Sequence, residues 1–169
     1  MTAFVFMGVS GAGKSTLGQR VAGELGLPFV EGDEFHPAAN VAKMSSGVPL
    51  SDADREPWID ALAAAVERRG NGDVVVACSA LSRRIRKRLR ERIQSPVEFL
   101  FLTAAPDVIE QRLRERVQHF MKAGMLASQL AAIEPPLDAR TIDVSGSLDS
   151  AAAQAAAHIR QIQRRTRPL

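Results

Sequence analysis

Five short runs of apolar and β-branched residues, Ala3–Met7, Pro28–Val30, Val74–Cys78, Val97–Leu102 and Thr141–Val144, recur along the chain. Between them lie longer stretches whose apolar residues return every three to four positions, the spacing of one helix face. Strands that alternate with helices pack as a parallel sheet covered on both sides. The runs are continuously apolar rather than alternating, as strands buried on both faces must be. No repeat, low-complexity linker or shift in composition breaks the pattern, so residues 1–169 are expected to form one α/β domain.

The helical stretches carry their own punctuation. A run from Ser15 reaches Leu25, where Gly26 supplies a stop and Pro28 begins the next strand. Ser51 or Asp52 can cap a helix bearing Trp58, Leu62 and Val66 on one face. Leu81, Ile85, Leu89 and Ile93 return every fourth residue, and Pro106 suits the first turn of a helix through Asp107, Glu110 and Leu113. Leu148 or Asp149 opens an alanine-rich final helix, with Ile159 and Ile162 inward and Arg164–Leu169 expected to fray.

The first strand-to-helix junction carries the chemistry. Gly8–Ser15 reads Gly-Val-Ser-Gly-Ala-Gly-Lys-Ser and fits G-x-x-x-x-G-K-[ST], the phosphate-binding loop. Gly8, Gly11 and Gly13 let bare backbone turn its amides toward phosphate oxygens, and the helix N-terminus adds further donors. Lys14 is placed to reach the β- and γ-phosphates of ATP, and the Ser15 hydroxyl to ligate magnesium.

Ligands of open parallel sheets sit outside the carboxyl ends of the strands. Asp33, just beyond the second strand, therefore shares an edge with the glycine loop. A hydroxyl attacking a phosphoryl group needs a carboxylate to orient it and take its proton, which suits Asp33; from position alone it can equally cap a helix. His36 reads as a contact for acceptor hydroxyls or as a surface histidine. Lys43 and Arg55 can bind an anionic acceptor, though each also reads as a solvated charge. Arg112 and Arg116 share a helix face, either as lid arginines closing over the phosphates or as partners of Glu110 and Glu115.

Composition narrows the classes. With 46% hydrophobic and 24% charged residues the chain is an ordinary globular one, and its single cysteine, Cys78, excludes an internal disulfide and reads as a small buried residue. No stretch approaches the roughly 20 apolar residues of a membrane span, and no basic segment precedes the first apolar run. The expectation is a cytoplasmic protein with no membrane partner. A net charge of +3 suits small anions. Arg83–Arg92 is the most basic segment and invites a nucleic-acid reading, but its apolar stripe and the absence of tyrosine favour a solvated helix face, with one arginine turned to the site. Motor ATPases and GTPases lose weight because Asp73 begins its strand rather than ending it and no Asn-Lys-x-Asp occurs.

Taken together, these motifs resemble the bacterial gluconokinase family of small P-loop sugar-acid kinases. The resemblance rests on Met7–Ser15, Gly32-Asp33-x-x-His36-Pro37, Asn40 with Lys43-Met44, the run from Gly47 to Trp58, Cys78–Leu81, His119-Phe120, and Ser128-Gln129 with Glu134-Pro135-Pro136. It implies an adenylate-kinase-like P-loop NTPase fold, a five-stranded parallel sheet with a mobile lid over approximately residues 112–136, often as a homodimer. The implied reaction carries phosphate from ATP, with Mg2+, to the 6-hydroxyl of D-gluconate; another hydroxyl acceptor such as shikimate is the alternative. By the same resemblance Gly8, Val9, Ser10, Gly11, Ala12, Gly13, Lys14, Ser15 and Thr16 serve the nucleotide with Arg112 and Arg116, and Ser15 the metal. Lys14 and Asp33 are then catalytic, and Asp33, His36, Lys43, Arg55 and His119 face the acceptor. Two departures stand out: Gln118 replaces the glycine usual before His-Phe, and Leu-Asp-Ala-Arg follows Pro136 in place of a more acidic run.

Overall fold

The computed structural model describes residues 1–115 and 125–166. Five parallel strands, β1 (Ala3–Met7), β2 (Phe29–Glu31), β3 (Val74–Ala77), β4 (Val97–Thr103) and β5 (Arg140–Asp143), line up in the order β2-β3-β1-β4-β5. Seven helices connect and cover them among the described residues: α1 (Lys14–Leu25), α2 (Ala38–Ser45), α3 (Asp52–Glu67), α4 (Arg83–Arg92), α5 (Pro106–Glu115), α6 (Met125–Ala132) and α7 (Leu148–Thr166).

Residue parity along the strands divides the core. Phe4, Phe6, Val75, Leu100 and Leu102 pack under α1, α5 and α7, while Ala3, Val5, Val74, Val76 and Phe99 pack under α3 and α4. Both faces are therefore dry, which explains the unbroken apolar runs. The helix boundaries follow local chemistry. Gly26 ends α1 in the left-handed conformation, and Ser51 and Asp54 form a reciprocal capping box at the start of α3.

Several boundaries shift. β2 and β5 each move by one residue, β3 ends one residue earlier at Ala77, β4 runs one residue further to Thr103, and α7 stays helical to Thr166 rather than fraying from Arg164. Ion pairing of Arg160 with Glu24 and a bond from Gln163 to Asp73 hold that last stretch to the body.

The arginine-rich α4 is engaged with the chain itself. Arg88 makes a forked pair with Asp60 at 2.9 and 2.7 Å, Arg92 joins the same carboxylate, and Arg84 reaches Glu56. Arg90 lies over the Phe99 ring and pairs with Asp138. Arg86 turns inward, 4% exposed, and donates to the Ala80, Leu81 and Glu134 carbonyls. The hydrophobic stripe explains the helix, and the acidic face of α3 explains its charge.

Candidate active site

The carboxyl ends of β1, β2 and β3 bring three segments to one edge of the sheet: the glycine loop, a 3-10 turn at Gly32–Phe35, and the Cys78–Leu81 loop. Gly13 sits at the N-cap of α1 with φ 88°, a left-handed conformation that other residues adopt only with strain. Gly32 is needed for a different reason. A Cβ there would lie 2.3 Å from the Ala77 carbonyl oxygen, so only glycine lets the end of β2 pass β3 and deliver Asp33 to the edge.

One cavity takes in Ser10, Lys14, Ser15, Asp33, His36 and Arg55. Phosphate loop and Asp33 thus share a single space. The Lys14 Nζ donates to the Val9 carbonyl at 3.1 Å, and the Ser10 amide donates to the Gln129 Oε1 at 2.6 Å, so α6 covers the loop. Burial raises the pKa of the Glu31 carboxylate, and the neighbouring Ser15 hydroxyl opposes that rise. Among the described residues no group of three His, Cys, Asp or Glu could hold a metal alone. Ser15 with Glu31 does supply the one or two hard oxygens that magnesium takes from a protein when phosphates provide the rest.

The acceptor side is tightly framed. Trp58, 1% exposed, donates its indole N–H to the Gly32 carbonyl at 2.7 Å and stacks on His36 with ring centroids 4.1 Å apart. His36 Nε2 lies 3.9 Å from Asp33 Oδ1. Burial pushes the His36 pKa down, with the Arg55 cation acting in the same direction and Asp33 against both. Arg55 Nη1 is 3.4 Å from Asp52 Oδ1. At the end of β3, burial pushes the Cys78 thiol up to about 12, which leaves it inert at neutral pH.

Lys43 is not brought to this cavity. Its ammonium is 2.6 Å from Asp54 Oδ1, and that carboxylate is held at about 2, chiefly by this bond and then by the Ser51 amide and hydroxyl. Lys43 thus forms an ion pair with Asp54 rather than lining the cavity. Arg116, Gln118 and His119 lie outside the described residues. Arg112 donates to the Val144 carbonyl and lines a second cavity of about 320 Å³ with Gly13, Thr16, Ser147 and Leu148. That volume falls at the lower end of small-molecule sites.

Sequence reasoning passed over several of these residues. Glu31 was visible in the Glu-Gly-Asp string at the end of β2, and Gln129 in the Ser-Gln pair. The loop after β5 gave no signal, since its part in the second cavity comes from backbone shape rather than residue type.

Comparison with known proteins bears on this geometry. A family model described as an AAA domain matches residues 4–136. The chain is 40% identical over 156 residues to the thermoresistant gluconokinase of Escherichia coli (strain K12), covering 89% of each chain. It is 47% identical over 147 residues to the gluconokinase of Gluconobacter oxydans (strain 621H), covering 84% of this chain and 81% of that one. The crystal structure of a gluconokinase from Sinorhizobium meliloti 1021 superposes with a TM-score of 0.83 at 38% identity, over 97% of this chain and 94% of the other.

Proposed function

The chain belongs to the gluconokinase family, and from that membership we propose that it transfers the γ-phosphoryl group of ATP to the 6-hydroxyl of D-gluconate, giving 6-phosphogluconate. The observation that carries this reading is the one cavity in which the glycine loop faces Asp33, His36 and Arg55. Amides of Gly8–Thr16 hold the phosphate tail, and Lys14 turns from the Val9 carbonyl to the β- and γ-phosphates. Ser15, with Glu31 behind it, would hold magnesium, which would supply neutralisation of the negative charge of the phosphates.

Asp33 takes the proton of the 6-hydroxyl as that oxygen bonds to the γ-phosphorus. The bond to the β–γ bridging oxygen breaks, and ADP leaves with that oxygen. Arg55 offers a fork for the acceptor carboxylate and His36 a contact for its hydroxyls. Arg112 and the Val144–Leu148 loop hold the nucleoside; of the lid expected over approximately residues 112–136, residues 116–124 lie outside the described residues. Cytoplasmic residence, a homodimer and no nucleic-acid partner complete the reading; no helix among the described residues is long and apolar enough to cross a membrane.

The test is ADP release over a panel of sugar acids and other hydroxyl acceptors, shikimate included. D-gluconate should give the highest kcat/KM, and a better acceptor would reassign the cavity. Asp33→Asn should lower kcat by about 10²–10⁴-fold with the KM for ATP nearly unchanged. A change confined to ATP affinity would make Asp33 a metal or capping residue instead.

A further inference from the structure

Building on the acceptor site proposed above, we infer that Asn40 is a positioning residue that fixes the tautomer of His36, so that Nε2–H rather than a lone pair faces Asp33 and the incoming hydroxyl. Asn40 is 3% exposed, and its Nδ2 lies 2.8 Å from the Asp54 main-chain carbonyl oxygen. A carbonyl oxygen only accepts, so the nitrogen of the side-chain amide, not its oxygen, must face it. The orientation of Asn40 is thereby set by backbone.

The same nitrogen lies 3.4 Å from His36 Nδ1. An amide nitrogen only donates, so Nδ1 must be bare, and a neutral ring then carries its proton on Nε2. Burial and the Arg55 cation of α3 both favour the neutral ring, against Asp33 from the adjoining turn. Trp58 fixes the ring plane from the other side, stacked within 16° of parallel. A half-turn of the imidazole would put a carbon where Nδ1 now accepts, so the frame opposes flipping as well.

The consequence falls on the reacting oxygen. At 3.9 Å, Nε2 and Asp33 Oδ1 are too far apart to bond each other. Two groups at that separation can both reach one hydroxyl oxygen at about 2.8 Å, subtending about 90° at it. That hydroxyl accepts from His36 and gives its single proton to Asp33, the bond to phosphorus forming as the O–H bond breaks. His36 keeps its proton throughout. With the opposite tautomer, two acceptors would compete for one hydrogen, and the hydroxyl could turn it away from Asp33.

Long-range proton–nitrogen correlation spectra of nitrogen-15-labelled wild type at neutral pH test this directly. The chain has three histidines, and loss of signals in His36→Gln assigns the relevant ring. His36 should show a bare Nδ1 and a protonated Nε2; an Nδ1–H tautomer or a doubly protonated ring overturns the inference. Asn40→Ala should give mixed tautomers and lower kcat on D-gluconate by about tenfold, the size expected for loss of an orienting partner, with the KM for ATP within about twofold. Asn40→Asp presents an acceptor to Nδ1 and should drive the opposite tautomer with a larger loss in kcat; wild-type tautomer and kcat in that variant would also overturn the inference. Should either variant fail to fold, the wild-type spectrum decides. An active wild type with the wrong tautomer sinks the tautomer lock alone, whereas the expected tautomer in a protein that does not phosphorylate gluconate supports the lock and sinks the acceptor assignment.

Discussion

The two walls of the cavity are built on opposite plans. On the acceptor wall, from β2 through α3, polar side chains are held in a chain of bonds: Trp58 on the Gly32 carbonyl, His36 on Trp58 and Asn40, Asn40 on the Asp54 main-chain carbonyl, and the Asp54 carboxylate on Ser51 and Lys43. The cover, α6, meets the phosphate loop through Gln129 on the Ser10 amide, and its root at Glu134 is tied to Leu81, Arg83 and Arg86. The wall's bonds run among Gly32, His36, Asn40, Ser51, Asp54 and Trp58 and use none of the phosphate-loop amides. The Gln129 bond occupies an amide that a phosphate oxygen would take, so it must exchange when nucleotide enters. Preorganised orientation belongs to the wall and rearrangement to the cover.

The largest effect is expected from removing the charge of the phosphate loop, which lies between wall and cover. Lys14→Ala should cost about 10³-fold in kcat while the circular dichroism spectrum and Tm stay near wild type, since the loop's path is set by its glycines. Undiminished turnover would remove the phosphate-loop assignment. Next comes the cover's root. Arg86→Met removes the guanidinium that donates to the Ala80, Leu81 and Glu134 carbonyls, leaving Leu81 only its bond from the Glu134 amide, and the urea midpoint should fall by the equivalent of about 3 kcal/mol. Unchanged stability would mean that α6 is anchored elsewhere. A narrower cut is Arg55→Ala on the wall, which should raise the acceptor KM about tenfold, about 1.4 kcal/mol, and leave the ATP KM in place. An unchanged acceptor KM would show the carboxylate held by another group.

How much of this was legible in the sequence depends on how local the signal is. Gly8–Ser15 announces itself because one turn of chain does the whole job, and the central strands β1 and β3 announce themselves because both their faces are buried. Asp33 could be placed on the right edge from strand order alone. Lys43 could not be excluded, since nothing near it in sequence says that Asp54, eleven residues on, takes its charge. The apolar stripe of α4 already favours a solvated helix face for its arginines, but nothing near them in sequence names Glu56 and Asp60 of α3 as their partners. Asn40, His36 and Trp58 sit on three different elements, and a tautomer set through a backbone carbonyl leaves no mark on composition or periodicity.

The gentlest test separates two duties that meet at Asp54. Its carboxyl is held at about 2, first by the Lys43 ammonium and then by the Ser51 amide and hydroxyl, against an ordinary value of 3.8. The folded protein therefore takes up that proton less readily than the unfolded chain. The stability so gained is complete above about pH 5, fades as pH falls, and is gone only below about pH 1. The difference in urea midpoint between wild type and Asp54→Asn should be flat from neutral pH to about pH 5 and have largely faded by about pH 2, other carboxylates cancelling in the subtraction. A difference that persists unchanged into acid would mean that shape, not charge, is what the residue contributes. The Asn40 bond is made to the main-chain oxygen of Asp54, which this substitution leaves in place. Loss of the acid-sensitive stability with the His36 tautomer retained would show that the wall runs a charged circuit on its outer side and a neutral one toward the cavity, each independent of the other.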